Sequence, residues 1–220
     1  MTPSPKTRRN LFVLALLGLA GLWLAPAARA EKPRGSEVYF GEIELVDQFG
    51  KPHHLYTDLL KDKVVVINAM FTSCTSACPA MAARLAEVQN WLGDRLGKEV
   101  YILSISVDPK NDTPAKLLAF AESFRARPGW YFLTGEPENV SQALKKLGQY
   151  VDDPEAHQSI MLMGNEPTGL WKKAMGLADA QQLIQILDTV IKDQGPEAQT
   201  GQTQTGQNQA GDAEARGVRG

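Results

Sequence analysis

The sequence predicts an α/β sandwich, with a mixed central sheet flanked by helices. Three observations carry that reading. Residues 63–71 and 100–107 are continuous β-branched and aliphatic runs, the pattern of strands covered on both faces. The segments that follow them carry apolar residues at helical spacing. Two late apolar runs, residues 159–163 and 170–174, are separated by a short polar turn and read as a hairpin. Strands alternating with helices, then a hairpin and a closing helix, give one sheet with parallel and antiparallel neighbours.

Residues 38–40 and 43–46 read as short strands, with Asp47-Gln48-Phe49-Gly50 as a turn and residues 55–60 as a short helical turn. After the buried strand 63–71, Met81, Leu85, Val88, Gln89 and Leu92 fall on one helical stripe that ends near Gly93. Strand 100–107 follows. Asp112-Thr113-Pro114 then opens a helix with proline in its first turn, and Leu117, Leu118 and residues 120–124 supply the apolar side. Residues 130–133 form a short strand, and residues 138–147 a helix stopped at Gly148. The hairpin turns across residues 165–169, and Asp179 caps a final helix through Ile191. There is no internal repeat and no glycine-rich phosphate loop, so nucleotide chemistry has no support.

The two ends differ from this body. Lys6, Arg8 and Arg9 precede an uncharged apolar run from Leu11 to about Pro26, and Ala28-Arg29-Ala30 precedes Glu31. That is the plan of a secretory signal peptide cleaved after Ala30. Alternatively, residues 11–28 stay on as an N-terminal membrane anchor. Arg8-Arg9 also resembles a twin-arginine export signal. Each version places the protein in the periplasm or on the extracytoplasmic face of the membrane. Residues 195–220 are Gly, Gln, Thr, Ala and a few charges, a composition that cannot bury enough apolar surface to order itself. The sequence thus divides into a leader or anchor (1–30), one domain (31–194) and a disordered tail (195–220). A net charge of −2, with no Lys/Arg cluster outside the leader, excludes a broad nucleic-acid surface.

Chemistry concentrates at Cys74 and Cys78, the chain's two cysteines, in Phe71-Thr72-Ser73-Cys74-Thr75-Ser76-Ala77-Cys78-Pro79. The segment joins a buried strand to a helix. Unpaired N–H groups and the positive dipole end at a helix start favour thiolate over thiol, and the thiolate attacks disulfides and binds metals. Spacing i, i+4 lets the two sulfurs bridge or share one ion. A structural disulfide, a redox couple and a metal site all remain open. The short loop gains little from cross-linking, and its place at the carboxyl edge of the sheet is where α/β ligand sites form.

Of three histidines, His53 and His54 sit beside Pro52 in a polar turn and read as solvated loop residues. His157, just before the strand that begins at Ser159, can face the cysteine loop or be a plain loop residue. Two thiolates and an imidazole suit Cu(I), or Zn²⁺ with an open position. Met70, Met81, Met161, Met163 and Met175 read as core packing, with thioether ligation as the alternative. Asp108, at the end of a buried strand, either supports the site from behind or caps its own loop.

A strand ending in Phe-Thr, then C-x-x-x-C-P, a strand ending in Ser-Val-Asp-Pro and a histidine before a late strand together resemble the Sco/SenC family. The likeness runs from about Gly41 to Ile191. It implies a thioredoxin-like fold and a copper site with Cys74, Cys78 and His157 as ligands. It also implies a role as a copper metallochaperone in building the dinuclear copper centre of cytochrome c oxidase. The implied partners are that enzyme's copper-bearing subunit, or another copper enzyme, and a thiol–disulfide reductant. The family is also argued to reduce client disulfides, with Cys74 and Cys78 as the catalytic pair. Two positions depart from the family's usual pattern. Thr75 stands where proline usually follows the first cysteine, and Ala156-His157-Gln158 replaces the usual acidic-His-Thr. Neither removes a ligand. Thioredoxin-like reductases carry C-x-x-C and a proline directly before the late strand. Here the cysteines have one more residue between them, and the nearest proline on that side is Pro154; both differences favour metal. A peroxidase of the peroxiredoxin class is the third reading.

Overall fold

A computed structural model describes residues 35–195. The leader or anchor expected in residues 1–30, and all but the first residue of the tail expected in residues 195–220, lie outside the described residues. In chain order the elements are α1 (Gly35–Phe40), β1 (Glu44–Asp47), β2 (Pro52–His54), a π-type turn (Leu55–Leu60), β3 (Val64–Met70), α2 (Ala77–Leu92) and β4 (Val100–Ser106). They continue with α3 (Pro114–Ser123), β5 (Trp130–Thr134), α4 (Pro137–Lys146), a 3-10 turn (Pro154–Ala156), β6 (Ile160–Asn165), β7 (Leu170–Met175) and α5 (Ala180–Ile191). The strands form one mixed sheet in the order β2-β1-β5-β4-β3-β6-β7, with helices packed against it, as the thioredoxin-like α/β reading requires. Among the described residues, no helix is long and apolar enough to cross a membrane.

The sheet's register places the site. β3 and β4 run parallel from Val64↔Val100 to Met70↔Ser106, so both strands end at the same edge. β6 runs antiparallel to β3, with Asn68 opposite Met161, so it begins at that edge. The loop after β3, the loop after β4 and the segment before β6 therefore meet. The strands are anchored by burial: Val65, Val66, Ile102, Leu103 and Phe132 are all fully enclosed. A buried polar relay links three of them. Trp130 Nε1 donates to Ser104 Oγ at 3.0 Å, and Ser104 Oγ donates to Asn68 Oδ1 at 2.8 Å. The predicted Asp179 cap is present, accepting from the Gln182 N–H at α5, and at α3 Thr113, within the triplet expected to open the helix, accepts from the Lys116 N–H.

The structure corrects the sequence reading at the N-terminal side. Residues 38–40 lie in α1 and not in a strand; Val38 and Tyr39 are exposed while Phe40 packs on Trp171. An apolar triplet is too short for periodicity to separate the two states. Pro52–His54 forms β2, paired antiparallel to β1. This also overturns the solvated-loop reading for His53, which is buried, with Nε2 2.8 Å from Asp47 Oδ2. His54, its neighbour on the opposite face of the strand, is exposed.

Candidate metal centre

β3 delivers the chain to the sheet edge, and α2 leaves it at Ala77. Cys78 therefore sits in the first turn of α2, and Cys74 in the loop ahead of it. No side chain at Ser76 caps the helix. The Cys78 N–H instead points at Cys74 Sγ, 3.5 Å away, so a sulfur takes up one of the helix's orphan donors. Both cysteines are buried free thiols, Cys78 the deeper of the two.

The pair is electrostatically unequal. Burial by itself would raise the Cys74 thiol. Hydrogen bonds from the backbone and side chains of Cys78 and Ser76 together outweigh that effect and pull it below its ordinary value. Cys78 moves the other way and is pushed up to about 12. Burial is the main cause, followed by its hydrogen bond to Cys74 and the negative charges of Cys74 and Asp112. At neutral pH the site holds one thiolate-prone sulfur and one firmly protonated one.

His157 follows the 3-10 turn Pro154–Ala156, and its Nε2 stands 3.4 Å from Cys78 Sγ. Its Nδ1 is 2.8 Å from the Pro154 carbonyl oxygen, which can only accept, so Nδ1 carries the proton in the neutral ring. Nε2 then turns a lone pair toward Cys78 Sγ. The Phe71 ring meets the imidazole edge to face at 5.4 Å and fixes its plane. Two donors on one ion, at bond lengths usual for thiolate and imidazole, stand about 3.5 Å apart. The contact between Cys78 and His157 already has that length. Among the described residues, no three His, Cys, Asp or Glu side chains form a ready-made metal cage. The set suits a soft ion admitted when the Cys78 proton leaves.

Asp108 takes the capping alternative: its carboxylate accepts from Asn111 Nδ2, and its N–H donates to Ser106 Oγ. Behind the cysteine loop stands Asp112, which the sequence reading had placed only at the opening of a helix. It is buried, and accepts from the Thr72 N–H, the Thr72 hydroxyl and, at 2.6 Å, the Ser106 hydroxyl. It ties the loop after β4 to the loop after β3. A clue was present, since Thr113 is the cap and an acidic residue just before it is released for other work. Met70, Met81, Met161 and Met163 are core residues, as expected, whereas Met175 is 68% exposed.

Residues 31–192 match the SCO1/SenC family model. The chain is 34% identical over 105 residues to the SCO1 protein homolog of Bacillus subtilis, covering 46% of this chain and 54% of that protein. It is 30% identical over 146 residues to a putative copper-binding protein of Stutzerimonas stutzeri, covering 66% and 63%. The chain thus spans a little over half to under two thirds of the length of these relatives. A solved structure of BsSco, described as a member of the Sco family of cytochrome c oxidase assembly proteins and studied for a disulfide switch, superposes with a TM-score of 0.57. It has 29% identity and covers 69% of this chain and 92% of that one.

Proposed function

We propose that this chain, which belongs to the SCO1/SenC family, binds one copper ion through Cys74, Cys78 and His157 and acts as a copper metallochaperone outside the cytoplasm. The observation that carries the reading is the 3.4 Å contact between Cys78 Sγ and His157 Nε2, the ring nitrogen that the Pro154 carbonyl does not engage. Cys74 offers the first sulfur because it ionises most readily. Copper uptake then displaces the Cys78 proton, and the imidazole closes the set. Thiolates hold Cu(I), and the imidazole extends the site to Cu(II). The burial of both sulfurs keeps water off the ion, while the sheet-edge position leaves it open to a docking partner. By the resemblance and the named role of BsSco, the recipient is the copper-bearing subunit of cytochrome c oxidase or another copper enzyme.

The unequal thiols favour a second activity, reduction of client disulfides. The Cys74 thiolate attacks a client sulfur and forms a mixed disulfide, and the first client thiolate leaves. Cys78, giving its proton to His157 Nε2, then attacks Cys74 Sγ and releases the second client thiolate. The client gains two electrons, the chain ends with a Cys74–Cys78 disulfide, and an external dithiol must reduce it again. Copper titration of the reduced full chain without oxygen, beside His157→Ala and Cys74→Ser, tests the primary reading. One ion per chain, lost in Cys74→Ser and at least tenfold weaker for Cu(II) in His157→Ala, is expected. Unchanged Cu(II) affinity in His157→Ala, with rapid insulin reduction that survives it, would favour the redox reading instead.

A further inference from the structure

The sheet has two edges, and they are not alike. β2 closes one with three residues that open on Pro52, which has no N–H to offer. β7 closes the other with six residues, Leu170–Met175. The Gly176 N–H donates to the Ser159 carbonyl at 2.8 Å, so these two residues extend the β6–β7 register as a hydrogen-bonded pair. Such pairs alternate along an antiparallel ladder. Met161↔Ala174 and Met163↔Lys172 are therefore bonded pairs, whereas Trp171, Lys173 and Met175 turn their N–H groups outward, away from β6. No acceptor among the described residues meets them.

The far end of this open edge lies at the metal centre. Met175 pairs with Ile160, three residues on from His157. Met175 and Leu177 are both exposed, at 68% and 52%. Side chains alternate across the strand. Lys172 reaches Thr189 Oγ1 on α5 at 2.7 Å. Lys173, on the other face with Met175, is exposed and makes no ion pair among the described residues. Between Lys173 and the segment leading to His157 is a cleft of about 110 Å³, lined by Tyr150, Val151, Ile160 and Leu162. A second copy of the chain is a poor occupant of the edge. The antiparallel register that engages Trp171, Lys173 and Met175 together sets Lys173 opposite its own copy, and like charges there oppose pairing.

We propose that the Lys173–Met175 edge of β7 is the docking strand for the copper recipient, which adds an extended segment to the sheet through main-chain hydrogen bonds. Opposite Lys173 the segment carries a carboxylate, and beside Met175 and the cleft it carries apolar side chains. Neighbouring strands lie about 4.8 Å apart, so the added segment runs about 10 Å from β6. That holds the recipient at the mouth of the metal centre while Cys74 and Cys78 stay buried. The inference rests on the copper reading of Cys74, Cys78 and His157, and names how the recipient is recognised.

The probes are blocked peptides of about eight residues, alternating Val and Thr with Glu, Thr or Lys at the centre, added to the reduced, isotopically labelled full chain. The Glu peptide should slow hydrogen exchange of the Lys173 and Met175 amides at least fivefold and bind at least fivefold more tightly than the Lys peptide. Lys173→Pro removes an outward N–H and leaves the bonds to β6 in place, so it should abolish that binding. It should also slow copper transfer to the soluble copper-bearing domain of cytochrome c oxidase at least tenfold, with copper affinity native. Binding that leaves the two amides unprotected, no binding of any of the three peptides, or native transfer in Lys173→Pro would overturn the inference. So would a native dimer in sedimentation that Lys173→Pro dissolves, because a second copy would then hold the edge. If Lys173→Pro fails to fold, Lys173→Glu keeps the backbone donor; a preference reversed toward the Lys peptide supports the inference and an unchanged one overturns it. A native chain that takes up no copper removes the metal-centre reading and the recipient named here with it. Native copper binding, with Lys173 and Met175 still open to exchange beside every peptide, removes this inference alone.

Discussion

Alkylation of the reduced, copper-free chain at pH 7.5 should fall almost wholly on Cys74. The Cys78 thiol stands at about 12 against an ordinary 9.0, and each unit is a factor of ten in thiolate. Its thiolate population is therefore about a thousandfold below that of an ordinary thiol, whereas Cys74 lies on the other side of the ordinary value. The rarer thiolate is intrinsically more nucleophilic, and a Brønsted slope of about 0.4–0.5 returns a factor of about 16–32 over three units. The net preference is at least about 30- to 60-fold, before the deeper burial of Cys78 adds to it. Substoichiometric iodoacetamide, acid quenching and mass mapping of the cysteine peptide read the ratio directly. Near-equal labelling, or Cys78 first, would refute the electrostatic account of the pair.

The same asymmetry governs uptake. Because Cys78 holds its proton far above neutrality, copper binding should release at least one proton per ion and tighten about tenfold per pH unit between pH 6.5 and 8.5; competition titrations that show no pH dependence would contradict this. Asp112→Asn removes a negative charge that opposes the Cys78 thiolate and weakens the grip on Thr72. It should narrow the alkylation ratio and cost about 1–3 kcal/mol in urea unfolding; an unchanged ratio would exclude the charge effect. Gly129 has φ +100°, and a Cβ there would stand 2.4 Å from the Gly97 backbone nitrogen. Gly129→Ala should therefore destabilise by about 2–4 kcal/mol, and a change under 1 kcal/mol would show that the two loops yield easily.

The parts of the fold that were legible are those where burial writes a period into the chain. β3 and β4 are enclosed on both faces, so Val64–Met70 and Val100–Ser106 read as strands without help. Elements held by a partner across the turn were not. Pro52–His54 is polar and three residues long, and it is a strand because β1 pairs with it. His53 is buried for the same reason, beside Leu45 across the ladder and within reach of Asp47.

At the site, Cys74 and Cys78 announce themselves by spacing and by their place after a buried strand. The approach of His157 to Cys78, 79 residues away, depends on β6 running antiparallel to β3, which no local pattern encodes. The hydrogen bond of His157 Nδ1 to Pro154, three residues back, makes the shortness of that turn meaningful, and it too becomes visible only in three dimensions.

The most direct test of the central claim is the spectrum of the native full chain carrying one Cu(II), by absorption and electron paramagnetic resonance. The account predicts intense sulfur-to-copper charge transfer from two thiolates, and a nitrogen contribution that His157→Ala abolishes. Copper bound without sulfur charge transfer, or with a spectrum identical in native and His157→Ala, would contradict a site made by Cys74, Cys78 and His157.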